Sequence, residues 1–312
     1  MEVVEVACNE FENIAEKPLH VFQSVGFNEL NKDKCDQLHY LLFKESKYKL
    51  ALVLGVRGQK VFSPFSAPFG GFFPISFDTK LSAVGEAIKE LSLWLKEKDY
   101  KAIDITLPPD IYHPSFIAKQ INCLWRYGYD AVNVDLNYAF DLNQFTDSYI
   151  EDIPRNARKN LKVGLKANLS LHKCEEEIEK KEAYQVIAQN RKERGFPLRM
   201  TWEQVKTTSE FIKSDFFLLR DTNGISIASA VVFHVTKEIV QVIYWGDLGE
   251  FSKLKTMNVL SFRIFEYYKG LNLSIVDIGP STEDSEPNHG LAEFKESIGC
   301  TVSPKYKFSL QI

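Results

Sequence analysis

The sequence predicts a mixed α/β protein of two domains. Three observations carry this expectation. A chain of 312 residues is long for one core and fits two of about 150 each. Short β-favouring apolar runs alternate with stretches of helical spacing. Hydrophobic residues at 45% and charged residues at 26% are an ordinary globular composition. Aromatic residues make up 13% of the chain and bury much area per ring, enough for both cores.

In the first half, Leu38 to Phe43 and Leu50 to Val56 read as a hairpin about the polar turn Lys44-Glu45-Ser46-Lys47. Phe62 to Pro74 holds three prolines and a Gly pair, which argue against regular structure, and five phenylalanines, too apolar for a solvated loop. Helices are predicted over Ala83 to Lys96 and Ser115 to Tyr127, and strands over Ala102 to Leu107 and Ala131 to Leu142. The domain boundary falls in Asp141 to Ile150, giving domains 1–145 and 146–312.

From Ile150, the apolar residues Ile153, Ala157, Leu161 and Leu165 form one helical stripe. The bases Arg155, Arg158, Lys159, Lys162 and Lys166 lie opposite it with no acid among them. A strand at Leu169 to His172 and helices at Glu175 to Arg194 and Trp202 to Ile212 follow. Then comes a meander, Phe216 to Arg220, Ile225 to Val235 and Ile239 to Gly246, whose Asn223-Gly224 pair is a hairpin signal. A helix at Thr256 to Lys269, a strand at Leu273 to Ile278, a helix at Leu291 to Ser297 and a strand at Pro304 to Leu310 complete the pattern.

Several function classes are disfavoured. The acidic start, Met1-Glu2-Val3-Val4-Glu5, is unlike a secretory signal, and no apolar run reaches the roughly 20 residues of a membrane span. Five scattered cysteines without a C-x-x-C pair, and six dispersed histidines, suit a reducing cytoplasm and no metal site. Net charge is −4, with 15 bases against 20 acids in residues 1–150 and 23 against 22 in the rest. An acidic protein is a poor generic nucleic-acid binder, so DNA is not an expected partner. The expected form is a monomer or homodimer.

The segment Tyr244-Trp245-Gly246-Asp247-Leu248-Gly249, followed by Lys255-Thr256-Met257-Asn258, empties a strand through a glycine-bearing loop into a helix. Free backbone amides and a helix N-terminus suit an acyl oxygen, a pyrophosphate or a carboxylate, though the same pattern serves ordinary connections.

Taken in order, Arg155-Asn156-Ala157-Arg158-Lys159-Asn160-Leu161, Tyr244-Trp245-Gly246, Asn258-Val259-Leu260, Asp277-Ile278-Gly279 and Gly290-Leu291-Ala292-Glu293-Phe294-Lys295 resemble the FemAB-type acyltransferases of the GNAT superfamily. The likeness spans most of residues 150–300. It implies two tandem GNAT-like domains, each a mixed, mostly antiparallel sheet flanked by helices, with the second catalytic. It further implies direct acyl transfer from a thioester or aminoacyl ester to an amine, with Tyr244 as proton donor, Asp247 as base or amine-orienting group, and Lys295 stabilising negative charge. Gly246, Gly249, Lys255, Thr256, Asn258, Lys159 and Lys162 are the expected donor-binding residues. Phe69, Gly70, Gly71, Arg194, Arg199 and His289 are the expected acceptor-binding residues. No tightly bound cofactor is expected.

The R/Q-x-x-G-x-G/A loop of acetyl-CoA enzymes is absent, which weakens acyl-CoA as donor and keeps aminoacyl-tRNA as the alternative. The basic stripe suits phosphates, or is a solvated outer face. Two enzyme readings therefore stand: an N-acyltransferase acting on a small or cell-wall-related amine, and an aminoacyl-tRNA-dependent peptide-bond former. A third, of another class, is a non-catalytic ligand-binding protein on the same scaffold.

Overall fold

The computed structural model describes residues 1–76 and 79–312. The chain divides into unit 1 (Met1–Leu136, Thr282–Glu286 and Ser303–Ile312) and unit 2 (Asn137–Ser281 and Pro287–Val302).

In unit 1, β1 (Glu2–Val6), α1 (Cys8–Ile14) and α2 (Val25–Leu30) precede the predicted hairpin, β2 (Gln37–Lys44) and β3 (Tyr48–Arg57), in which Leu41 faces Leu52. The Phe62–Pro74 segment is more regular than its composition suggests. Phe62 and Ser63 belong to β4 (Lys60–Ser63), and β5 (Phe73–Pro74) pairs with β3. Helix α3 (Leu81–Glu97) buries Ala87, Leu91 and Leu95, the predicted stripe, and crosses to β6 (Ala102–Thr106), parallel to β4. Helix α4 (Pro114–Arg126) leads into β7 (Asp130–Asp141). Residues 307–311 close the sheet antiparallel to β6.

In unit 2, the helix expected from Ile150 is two: α5 (Tyr149–Asp152) and α6 (Arg155–Leu165). Pro154 divides them by holding Ile153 extended, at ψ 155°. Ala157 and Leu161 are buried as predicted, and Gly164 lets α6 approach closely: a Cβ there would lie 2.4 Å from Val259. Next come β8 (Ser170–Lys173) and α7 (Glu177–Arg194), which ends on Gly195 in the left-handed region. Helix α8 (Trp202–Phe211) opens with a Thr201–Gln204 capping box. The meander β9 (Ser214–Arg220), β10 (Ser226–His234) and β11 (Ile239–Asp247) forms as expected. Helix α9 (Thr256–Gly270) then crosses to β12 (Ile275–Pro280), parallel to β11, and residues 137–141 of β7 close the sheet antiparallel to β12. Helix α10 (His289–Ser297) belongs to unit 2, whereas the short hairpin, β13 (Thr282–Glu283) and β14 (Glu286–Pro287), and the last strand, β15 (Thr301–Gln311), fall almost wholly in unit 1.

The faces of the second sheet differ. Val240, Val242, Val276 and Ile278 pack with Leu260, Ile264 and Phe265 of α9 in one apolar core. The opposite face meets α7, where the Ser229 hydroxyl donates to Ala183 O at 2.6 Å. Among the described residues no helix is long and apolar enough to cross a membrane.

Candidate functional site

Strands β11 and β12 are paired only from Ile239–Ile275 to Gln241–Asp277, yet β11 runs on to Asp247. Strand β12 shifts register after Asp277, and Gly279, at φ +73°, lies opposite Tyr138 on β7. The edge of β11 from Val242 onward therefore has no ladder partner in β12. A bulge accompanies the parting: Val231 faces Tyr244 and Val232 faces Val242, leaving Ile243 as the extra residue. The bulge resets the two-residue alternation, so Tyr244 and Gly246 point to the α7 face, as Gln241 does.

Where the strands part, polar groups are buried and joined. Gln241 Nε2 donates to Asp277 Oδ2 at 2.8 Å. Asp277 Oδ1 accepts from Asn137 Nδ2 at 2.8 Å and from the Gly279 amide at 2.9 Å. All three side chains are buried. Lys295 supports the same turn from α10: its Nζ donates to the carbonyls of Ile278, Gly279 and Pro280 at 3.1, 2.8 and 2.9 Å. Burial pushes this ammonium down to about 8, against the opposing influence of Cys300 and Asp277. Its three hydrogens are committed to carbonyls, so in this structure it holds the end of β12 and offers no free charge to a ligand.

At the far end of β11, Asp247 is nearly enclosed. One carboxylate oxygen accepts from Arg194 at 3.1 Å, and the other from the Thr256 hydroxyl at the start of α9. Its carbonyl accepts from Asn190 Nδ2 at 2.7 Å. Asn190 lies over Gly246, where a Cβ would sit 2.5 Å from Asn190 Cγ; only glycine admits this approach. The Tyr244 phenol is buried near the backbone of Arg199 and Met200 and near Arg191; burial raises it above its ordinary value, so it stays protonated. The Tyr184 hydroxyl donates to Met200 O at 2.9 Å.

Unit 2 thus brings Tyr244, Gly246, Asp247, Thr256 and Arg194 together. Others expected at the site are placed differently. The Gly249 amide donates to Glu193 Oε2 at 3.1 Å and is not free for a donor phosphate. Lys255 is the N-cap of α9 at φ +56°, and the Asn258 amide returns to its carbonyl at 3.0 Å. Lys159 and Lys162 lie on the exposed face of α6, with Lys162 3.5 Å from Glu151. His289 is exposed at the start of α10, whose cap is Asn288. Phe69, Gly70 and Gly71, in unit 1, are a packed loop rather than an open wall. The Gly70 amide bonds to Thr106 O, the Gly71 amide to Ser63 Oγ, and the Gly71 carbonyl accepts from Gln23. All three residues are buried. Among the described residues no group of His, Cys, Asp or Glu is placed to hold a metal ion.

Sequence reasoning passed over Asn137, Asn190 and Ser229, and it gave Arg191, Gln241 and Asp277 no role of their own, although Asp277 stands in the resemblance. A signal was present for Gln241 and Asp277: each is a single polar residue inside a run of Ile and Val.

No protein-family model matches the chain, and no curated protein matches it in sequence. Solved structures do match in fold. FemX superposes with a TM-score of 0.70 at 12% identity, covering 100% of this chain and 98% of that one. L-PGS from Bacillus licheniformis gives 0.61 at 15% identity, covering 97% and 92%. A tandem GNAT protein from the clavulanic acid biosynthesis pathway gives 0.53 at 11% identity, covering 99% and 98%. The chain has a GNAT-like, FemAB-like fold: mixed α/β, with mostly antiparallel sheet flanked by helices.

Proposed function

We propose that unit 2 carries an N-acyltransferase that moves an acyl group from an activated donor to an amine by direct attack. The observation that carries this reading is the parting of β11 from β12 beyond Gln241 and Asp277. It leaves one edge of a strand, within a folded sheet, with backbone amides to offer an extended acyl donor and its carbonyl oxygen. Tyr244, buried and protonated at that edge, gives its proton to the leaving group and regains one from the nitrogen of the attacking amine, so the transfer balances. Asp247 orients rather than abstracts, because both its oxygens already accept hydrogen bonds. Lys295 positions the end of β12.

Of the two donor classes, the aminoacyl ester is favoured over acyl-CoA. The Gly249 amide, a candidate pyrophosphate donor, belongs to Glu193, and the Asp247 carboxylate already sits at the first residue of α9. The exposed bases Arg155, Lys159 and Lys162 on α6 and Lys166 at its C-terminal cap suit a polyanionic carrier, an RNA.

The test is transfer of labelled acyl groups from acetyl-CoA and from aminoacyl-tRNA to a panel of amines. Tyr244→Phe is expected to lower kcat about 10²-fold while leaving the unfolding midpoint near wild type. Full activity in that variant removes Tyr244 from the chemistry. No transfer from either donor sinks the enzymatic reading.

A further inference from the structure

We propose that Arg191 anchors an anion-binding site on the α7 face of the second sheet, taking a two-oxygen anion, carboxylate or phosphate, carried by the acceptor. The word acceptor rests on the acyl-transfer reading; the anion site rests on the geometry.

The last turns of α7 carry Asn190, Arg191 and Arg194 toward the C-terminal end of β11. The groups around Arg191 are already engaged. Asn190 donates to Asp247 O, Arg194 pairs with the Asp247 carboxylate, and the Tyr184 hydroxyl donates to Met200 O. Nearby acids are also committed: Asp247 to Arg194 and Thr256, and Glu193 to Gln189 and the Gly249 amide. Arg191 is the exception. Its Nε is buried and has no hydrogen-bond partner, and no described acid pairs with its guanidinium.

A half-buried guanidinium without a counter-ion is unfavourable, because desolvation is not offset by a Coulombic or hydrogen-bonding partner. The neighbourhood sharpens this. Burial is the largest influence and disfavours the charged form; Tyr244 opposes it, and the second cation, Arg194, adds to it. An incoming anion with two oxygens in one plane supplies what the site lacks, since the guanidinium fork presents parallel donors at that spacing. Its position also matters. Arg191 is near enough to Tyr244, the residue at the parted edge of β11, for the two to interact electrostatically, so an anion held there brings the rest of its molecule toward the attack site.

The experiment uses the intact chain and simple probes. Glycine, L-alanine and D-alanine, their amides, and inorganic phosphate and pyrophosphate are titrated by thermal shift and calorimetry into wild type, Arg191→Met and Arg191→Lys. A free carboxylate or a phosphate is expected to raise the wild-type midpoint, and the neutral amides are not. Arg191→Met is expected to weaken that binding about tenfold or more, and Arg191→Lys to recover part of it. Amino acids bound without phosphate identify the anion as a carboxylate; phosphates bound without amino acids identify it as a phosphate. Equal stabilisation by acids and amides, or unchanged binding in Arg191→Met, overturns the site. The ligand-free midpoint of Arg191→Met is expected at or above wild type, which separates lost binding from lost folding. Binding through Arg191 without any acyl transfer keeps the site and sinks the enzymatic reading. Transfer with an unchanged KM in Arg191→Met does the reverse.

Discussion

Gln241 and Asp277 face each other on the last rung of the parallel ladder, their side chains joined at 2.8 Å, and past them the two strands separate. Both side chains are buried, so the bond spans a place from which water is largely excluded. Gln241→Leu removes the hydrogen bond from Gln241 Nε2 to the buried Asp277 Oδ2. The expected loss is about 2–3 kcal/mol in urea unfolding. A loss below about half a kcal/mol would show that the pair does not fasten the strands.

Lys295 separates a structural from a chemical role. Removing its ammonium takes the shared donor at once from two buried carbonyls, Ile278 and Gly279, and from the partly buried one of Pro280. Lys295→Met is expected to destabilise unit 2 by about 2–4 kcal/mol. A variant as stable as wild type but without transfer activity would return Lys295 to the chemistry.

Gly246 is expected to refuse a side chain. In Gly246→Ala the new methyl meets Asn190, whose amide holds the Asp247 carbonyl, so Asn190 must move. A cost of about 1–3 kcal/mol is expected, together with lower activity. Gly270→Ala, at the end of α9 with open space around the added carbon, is the matched control. It is expected to be neutral or slightly stabilising.

Stability should fall through two overlapping windows as the solution is acidified. Burial drives the His20 imidazole down to about 3, against a smaller contribution from the Gly70 backbone. The unfolded chain therefore binds a proton near pH 6.5 that the folded chain refuses, and stability drops as pH falls from there toward 3. Burial pushes the Asp215 carboxyl up, but the hydrogen bond and charge of His234, then of Lys173, overcome it and hold the group at about 2. Its contribution is present above about pH 4 and is lost between there and 2. Chemical unfolding across pH should show His20→Phe flattening the first window and Asp215→Asn the second.

Much of the fold was visible in the sequence because periodicity is local. The α3 and α6 stripes, the three-strand meander and the Gly195 helix end all follow from spacing and from turn chemistry. The break at Pro154 was equally local and was passed over, because the apolar stripe continues through it. The site was less legible. Tyr244, Gly246, Asp247 and Thr256 stand close in sequence and meet in space, whereas Lys295 carries the right residue type and turns inward. Asp277 is marked by the apolar run around it, but Arg191 gains its meaning only from what surrounds it, and no local pattern records which partner a buried charge has or lacks.

The closing strands have a consequence for how the chain is made. Unit 1 completes its sheet with residues 307–311, and unit 2 with residues 137–141, which follow the last helix of unit 1. During synthesis the first unit therefore leaves the ribosome with β6 an open edge, and it waits for some two hundred further residues before that edge is covered. A chain stopped anywhere before residue 307 exposes that edge for good. Neither unit is a separable half, and a nascent chain of this kind depends on whatever shields its unpaired backbone until the last strand arrives.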